Sequence, residues 1–124
     1  MTKTPMILVV EDDEWMAEQH VRTLHEAGFR AEHVPHALAA IDNVDTKRPD
    51  AIILDVFLSG PNAFTLLHEL QSHSDLAVIP IILCTNSADD IAAEDLEAYG
   101  VARVLDKTTM KPTDLVAAVK KVLS

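Results

Sequence analysis

Ala51-Ile52-Ile53-Leu54-Asp55 is a run of four apolar residues that stops on a carboxylate, and Met6-Ile7-Leu8-Val9-Val10, followed by Glu11 and Asp12, repeats the design. Short runs without polar interruption, rich in branched side chains, read as strands buried on both faces of a parallel sheet. A third run, Ile79 to Cys84, ends at Thr85, and a fourth, Val101 to Leu105, leads into Asp106 and Lys107. Arg30 to Val34 reads as a weaker strand lying between the first two in sequence.

Between the strands the apolar spacing changes to the helical period. Trp15, Met16, Val21 and Leu24 share one face and Gly28 closes the segment; Ala37, Leu38, Ile41 and Val44 predict a second helix ahead of the Lys47-Arg48-Pro49-Asp50 turn. Phe64, Leu66, Leu67 and Leu70 predict a third, Ile91 to Tyr99 a fourth stopped by Gly100, and Leu115 to Leu123 a fifth. The fifth carries its own start signal, Pro112 and Thr113 with Asp114 in the first turn. Five alternations of strand and helix predict an α/β fold, with right-handed crossovers covering both faces of the sheet.

The 124 residues are expected to form one domain, 1–124, without a separate output domain. Twenty acidic against ten basic residues give a formal charge of -10, which opposes direct nucleic-acid binding, because that affinity comes largely from Lys and Arg neutralising phosphates. No stretch matches a membrane span or signal peptide, so no membrane association and a cytoplasmic location are expected. The single cysteine, Cys84, lies in an apolar run and reads as a buried reduced thiol.

In open parallel sheets ligands bind beyond the carboxyl ends of the strands. If the four apolar runs are neighbours, Glu11, Asp12, Asp55, Thr85 and Lys107 converge on one crevice. Three carboxylates so close repel one another unless a cation joins them, and oxygen donors without His or Cys suit a hard ion such as Mg2+. One carboxylate can also act as a nucleophile toward a phosphorylated donor, with Lys107 and Thr85 supplying an ammonium and a hydroxyl to the phosphoryl oxygens.

At these residues the chain resembles the receiver domains of two-component response regulators. The matching stretches are Ile7 to Glu14, Pro49 to Val56, Pro80 to Thr85 and Gly100 to Lys107, four motifs in order, each built around a strand end. The resemblance implies a stand-alone, CheY-like receiver with the flavodoxin-like sheet order 2-1-3-4-5 and five helices. It implies that Asp55 is the phosphoacceptor, Asp12 a direct Mg2+ ligand, Glu11 an acidic partner acting largely through water, and the Phe57 backbone carbonyl a further ligand. Thr85 and Lys107 would bind the phosphoryl group. A sensor histidine kinase or histidine phosphotransfer protein would be the donor. The responsive surface would comprise helix Asp89–Tyr99, strand Val101–Asp106 and helix Thr113–Leu123, engaging a downstream protein effector, a relay partner or a phosphorylation-dependent homodimer.

The chain departs from the family pattern at several positions. Ser59 stands where the family has proline, Ala63 where it has a turn glycine, Asn86 where it prefers a small residue, and Val104 where it has an aromatic ring. Thr108 follows Lys107 in place of proline; a cis bond there would cost roughly 2.5–4 kcal/mol, so trans is expected. Lys111-Pro112 imitates the motif, but choosing it breaks the spacing from Gly100.

Asp13 and Glu14 read as first-turn acids favoured by the helix dipole. Trp15 reads as a core or pocket-edge aromatic. The six histidines, at 20, 25, 33, 36, 68 and 73, read as surface residues with no close partnership to an acidic or cysteine cluster. The competing functions are a degenerate receiver that binds partners without phosphorylation, a Mg2+-dependent phosphohydrolase and a flavin carrier. The phosphohydrolase lacks its acid–base carboxylate, since Phe57 fills the plus-two position, and the acidic stretch Glu11 to Glu14 would repel a flavin phosphate. The expected protein is therefore a switch and not an enzyme.

Overall fold

The computed structural model describes residues 4–35, 37–55, 68, 71–72, 78–85 and 97–124. Its elements are β1 (Met6–Val10), α1 (Glu14–Glu26), β2 (Arg30–Val34), α2 (Ala37–Lys47), β3 (Ala51–Asp55), β4 (Ile81–Thr85), β5 (Val101–Asp106) and α3 (Pro112–Leu123). The five strands form one parallel sheet in the order β2-β1-β3-β4-β5, the expected flavodoxin-like order. The two helices expected over Phe64–Leu70 and Ile91–Tyr99 lie mostly outside the described residues, although 68, 71–72 and 97–98 are helical.

Strand periodicity explains why the sheet is apolar throughout. Successive side chains point to opposite faces, so a strand sandwiched between helix layers needs apolar residues at every position. Leu8, Val10, Ile52, Leu54, Ile81 and Leu83 pack on one face with Ala40 and Val44 of α2. Ile7, Val9, Ala51, Ile53, Ile82 and Cys84 pack on the other with Leu24 of α1 and Leu115, Ala118 and Val119 of α3. All five residues of β1, β3 and β4 are buried, whereas β2 and β5 at the edges are partly exposed.

Local chemistry sets the ends of the elements. Asp13 caps α1, its carboxylate accepting from the Met16 N–H at 3.0 Å. At the other end Gly28 N–H donates to His25 O and Phe29 N–H to Leu24 O, both at 3.0 Å, closing the helix in a Schellman motif that needs the positive φ of +95° at Gly28. Asp50 fixes β3 against β1 twice, donating its N–H to Met6 O and accepting the Met6 N–H on its carboxylate, each at 2.8 Å. α3 begins as expected at Pro112, with the Asp114 carboxylate accepting the Lys111 N–H at 2.8 Å.

Candidate functional site

Strand parity and strand order together assemble the crevice. Ala51 and Ile53 face the α1/α3 layer, so Asp55, two residues on, projects toward the same side at the carboxyl end of β3. Glu11 ends β1 next door, Thr85 ends β4 on the other flank, and Lys107 follows β5 beyond it. The Lys107 N–H donates to Thr85 O at 2.9 Å, tying the loop after β5 to the end of β4. Lys107 Nζ then lies 2.5 Å from Asp55 Oδ1.

The other oxygen of Asp55 has a partner that sequence reasoning missed. His20 Nε2 lies 2.6 Å from Asp55 Oδ2, and His20 is 7% exposed. Its assignment to the surface is therefore corrected. The reason is helical spacing: Ala17, His20 and Leu24 are the buried positions of α1, a stripe of three- and four-residue steps that points a polar ring into the sheet face carrying Asp55. The same rotation turns Trp15 outward at 65% exposure, so Trp15 is not part of the core. The stripe was present in the sequence, but an apolar template skips a histidine. A second histidine also reaches this region, His33 Nε2 lying 2.7 Å from the Glu11 backbone carbonyl oxygen.

Glu11 is buried. One of its oxygens accepts the Asp13 N–H at 3.0 Å, while Oε2 has no hydrogen-bond partner. Burial first, and the adjoining Asp55 carboxylate second, push the Glu11 carboxyl up to about 8. Asp55 moves the other way: burial alone would raise it, but His20 first, then the neighbouring Glu11 and the Lys107 ammonium, outweigh burial and hold it below the usual carboxylate range.

Glu11, His20 and Asp55 bring three ligand atoms within 4.8 Å of one another. The orphaned Glu11 Oε2 within this group is the acceptor a divalent cation would satisfy, so the residues present fit a metal ion. Asp12, next to Glu11 in sequence, is exposed and lies outside that close triple. Phe57, Ser59, Ala63 and Asn86 lie outside the described residues.

Beyond the site, no described peptide bond is cis, including Lys107-Thr108. Where the family has proline, Asp106 shapes the turn: its carboxylate accepts the Thr108 N–H at 2.8 Å and the Thr108 hydroxyl at 2.6 Å. Those two bonds, the hydroxyl's first, lower the Asp106 carboxyl. Val104 is half-buried against the cluster of the α2 face. No helix among the described residues is long and apolar enough to cross a membrane.

A model of the response regulator receiver domain matches residues 7–120. The chain is 33% identical over 119 residues to the transcriptional activator protein IrlR of Burkholderia pseudomallei, covering 95% of this chain and 48% of that protein. It is 30% identical over 120 residues to the transcriptional regulatory protein CseB of Streptomyces coelicolor, covering 94% and 48%. The chain thus spans about half the length of the curated relatives it matches. Among solved structures, the signal receiver domain of a signal transduction histidine kinase from Syntrophus aciditrophicus superposes with a TM-score of 0.81 at 31% identity, over 97% of this chain and 90% of that one.

Proposed function

The chain belongs to the response regulator receiver domains of two-component systems, and from that premise we propose that Asp55 accepts a phosphoryl group in a Mg2+-dependent reaction whose product reshapes a surface read by a protein partner. The observation that carries this reading is the buried Asp55 carboxylate at the end of β3 with the Lys107 ammonium 2.5 Å from Oδ1.

In this reaction an Asp55 oxygen attacks the phosphorus of a phosphohistidine on a sensor histidine kinase or phosphotransfer protein. An O–P bond forms as the P–N bond breaks, and the released imidazole keeps the electron pair. Lys107 would follow the negative charge from the carboxylate to the phosphoryl oxygens, and Thr85 at the neighbouring strand end would add its hydroxyl as a second donor to them. Glu11, Asp12, Asp55 and the Phe57 carbonyl would hold Mg2+, which when bound neutralises charge on the transferred group. Withdrawal of Lys107 and Thr85 toward the new phosphoryl group biases the stretch 89–99, β5 and α3 between two arrangements, a population shift driven by new charge-assisted bonds. The output is a protein effector, a relay partner or a homodimer. The net charge of -10 argues against this segment itself contacting DNA.

One observation favours a second reading, a receiver that binds partners unphosphorylated: both Asp55 oxygens already have partners, Oδ1 in Lys107 and Oδ2 in His20. The two readings separate on intact mass after incubation with Mg2+ and acetyl phosphate. A phosphoryl increment on wild type and none on Asp55→Asn supports the switch. No increment with acetyl phosphate or any phosphorylated histidine donor supports the unphosphorylated module.

A further inference from the structure

We propose that His20 is a direct nitrogen ligand of the divalent ion held by Glu11 and Asp55, and that this mixed donor set makes the centre prefer first-row transition ions over Mg2+. The inference deepens the metal-dependent reading above and rests on it.

Three observations carry it. His20, Glu11 and Asp55 are each buried, at 7%, 2% and 2% exposure, and their ligand atoms lie within 4.8 Å of one another. Glu11 Oε2 is buried and no hydrogen-bond donor reaches it. His20 Nε2 is 2.6 Å from Asp55 Oδ2, whereas two donors bound side by side on one first-row ion stand roughly 3 Å apart given bond lengths near 2.1 Å. A ring displacement of a few tenths of an ångström therefore converts a hydrogen-bonded pair into two neighbouring ligands.

The chemistry of the donors sets the preference. Mg2+ takes hard oxygen ligands, keeps much of its water and gains little from imidazole, while imidazole nitrogen binds first-row ions with strength rising from Mn2+ through Fe2+ and Co2+ to Ni2+. Lys107 on Oδ1 leaves Oδ2 as the Asp55 oxygen nearest the imidazole. Ligation through Nε2 uses the ring tautomer whose proton sits on Nδ1.

The test uses the full chain and three ions. Calorimetric titrations with Mg2+ and Co2+ are run on wild type, His20→Asn and His20→Leu, and pulsed EPR is run on each protein loaded with Mn2+. Asn keeps an N–H donor for Asp55, and Leu removes the polar group, so a purely hydrogen-bonding role and ligation give different patterns. The expected result is Co2+ binding at least ~100-fold tighter than Mg2+ in wild type, with both variants losing roughly tenfold or more of the Co2+ affinity and about threefold or less of the Mg2+ affinity. Nitrogen modulation in the wild-type Mn2+ spectrum should disappear in both variants. Mn2+ binding without nitrogen coupling in wild type overturns the proposal and leaves the metal-dependent reading intact. Failure of all three ions to bind overturns both. Because the spectrum is read on wild type, a variant that fails to fold does not rescue the idea.

Discussion

His20 and Lys107 hold opposite oxygens of one carboxylate: His20 Nε2 is 2.6 Å from Asp55 Oδ2 and Lys107 Nζ is 2.5 Å from Asp55 Oδ1. The two donors come from opposite ends of the chain, α1 and the loop after β5, and meet only because β1 and β3 are neighbours while β4 and β5 continue the sheet on the far side. The two partners favour the charged form of Asp55 in a buried position, against the desolvation that opposes it.

Replacing Lys107 removes the ammonium without disturbing the carboxylate's second partner. Lys107→Met should slow phosphorylation of Asp55 by roughly a hundredfold, the usual effect of deleting one preorganised donor from a charge-developing centre. Intact mass followed over time with Mg2+ and acetyl phosphate measures the rate. An unchanged rate would remove Lys107 from the reaction and reopen Lys111 as the motif lysine.

The burial of Glu11 makes a prediction about pH. Its carboxyl has an ordinary value of 4.5 and is pushed up to about 8 in the folded protein. Below 4.5 both folded and unfolded chains hold the proton and the group is neutral in its effect. Between about 4.5 and about 8 only the folded chain keeps it, so stability associated with Glu11 falls as pH rises through that window. Asp55 carries the opposite sign, but its loss of stability lies below the ordinary carboxylate value of 3.8 and outside this window. The metal-free Glu11→Gln protein should therefore gain stability over wild type progressively from pH 5 to pH 8. Urea melts at four pH values decide it, and a difference independent of pH would show that Glu11 is ionised throughout.

Strands β1, β3 and β4 were legible in the sequence because burial on both faces forces continuous apolar runs, and those runs end on the residues that form the crevice. Sheet order came from the family resemblance, since periodicity alone assigns no neighbours. His20 was not legible by hydropathy, because its ring is polar yet occupies a core-facing position whose meaning depends on Asp55, thirty-five residues away. The start of β4 at Ile81 instead of Ile79 reflects a turn at Val78 and Ile79, where apolar side chains sit outside the ladder and Val78 is 78% exposed. The Asp106–Thr108 turn shows how a missing proline can be replaced by side-chain acceptors, which no proline-based template anticipates.

Cys84 lies at 0% exposure in β4 between Leu83 and Thr85, and burial first, then the charge of Asp55, raise its thiol far above the ordinary range. The thiolate is the reactive form, so the native protein should resist an aromatic disulfide reagent for hours and react within seconds once unfolded in guanidinium. The unfolding rate then limits labelling. Rapid stoichiometric labelling of the native protein would show that β4 opens without global unfolding.

Gly28 isolates a backbone effect from packing. Its φ of +95° closes the Schellman motif after α1, and a Cβ built there meets no heavy atom within 4 Å. A substitution is therefore penalised by conformation alone, and Gly28→Ala should destabilise the protein by about 1 kcal/mol. Asn tolerates the left-handed region better than other side chains, so Gly28→Asn should recover part of that loss. Both variants leave the crevice untouched, and their phosphorylation rates should match wild type while their denaturation midpoints fall in the order Gly, Asn, Ala. Equal midpoints for Gly and Ala would mean that the handedness of the backbone carries no cost at this helix end.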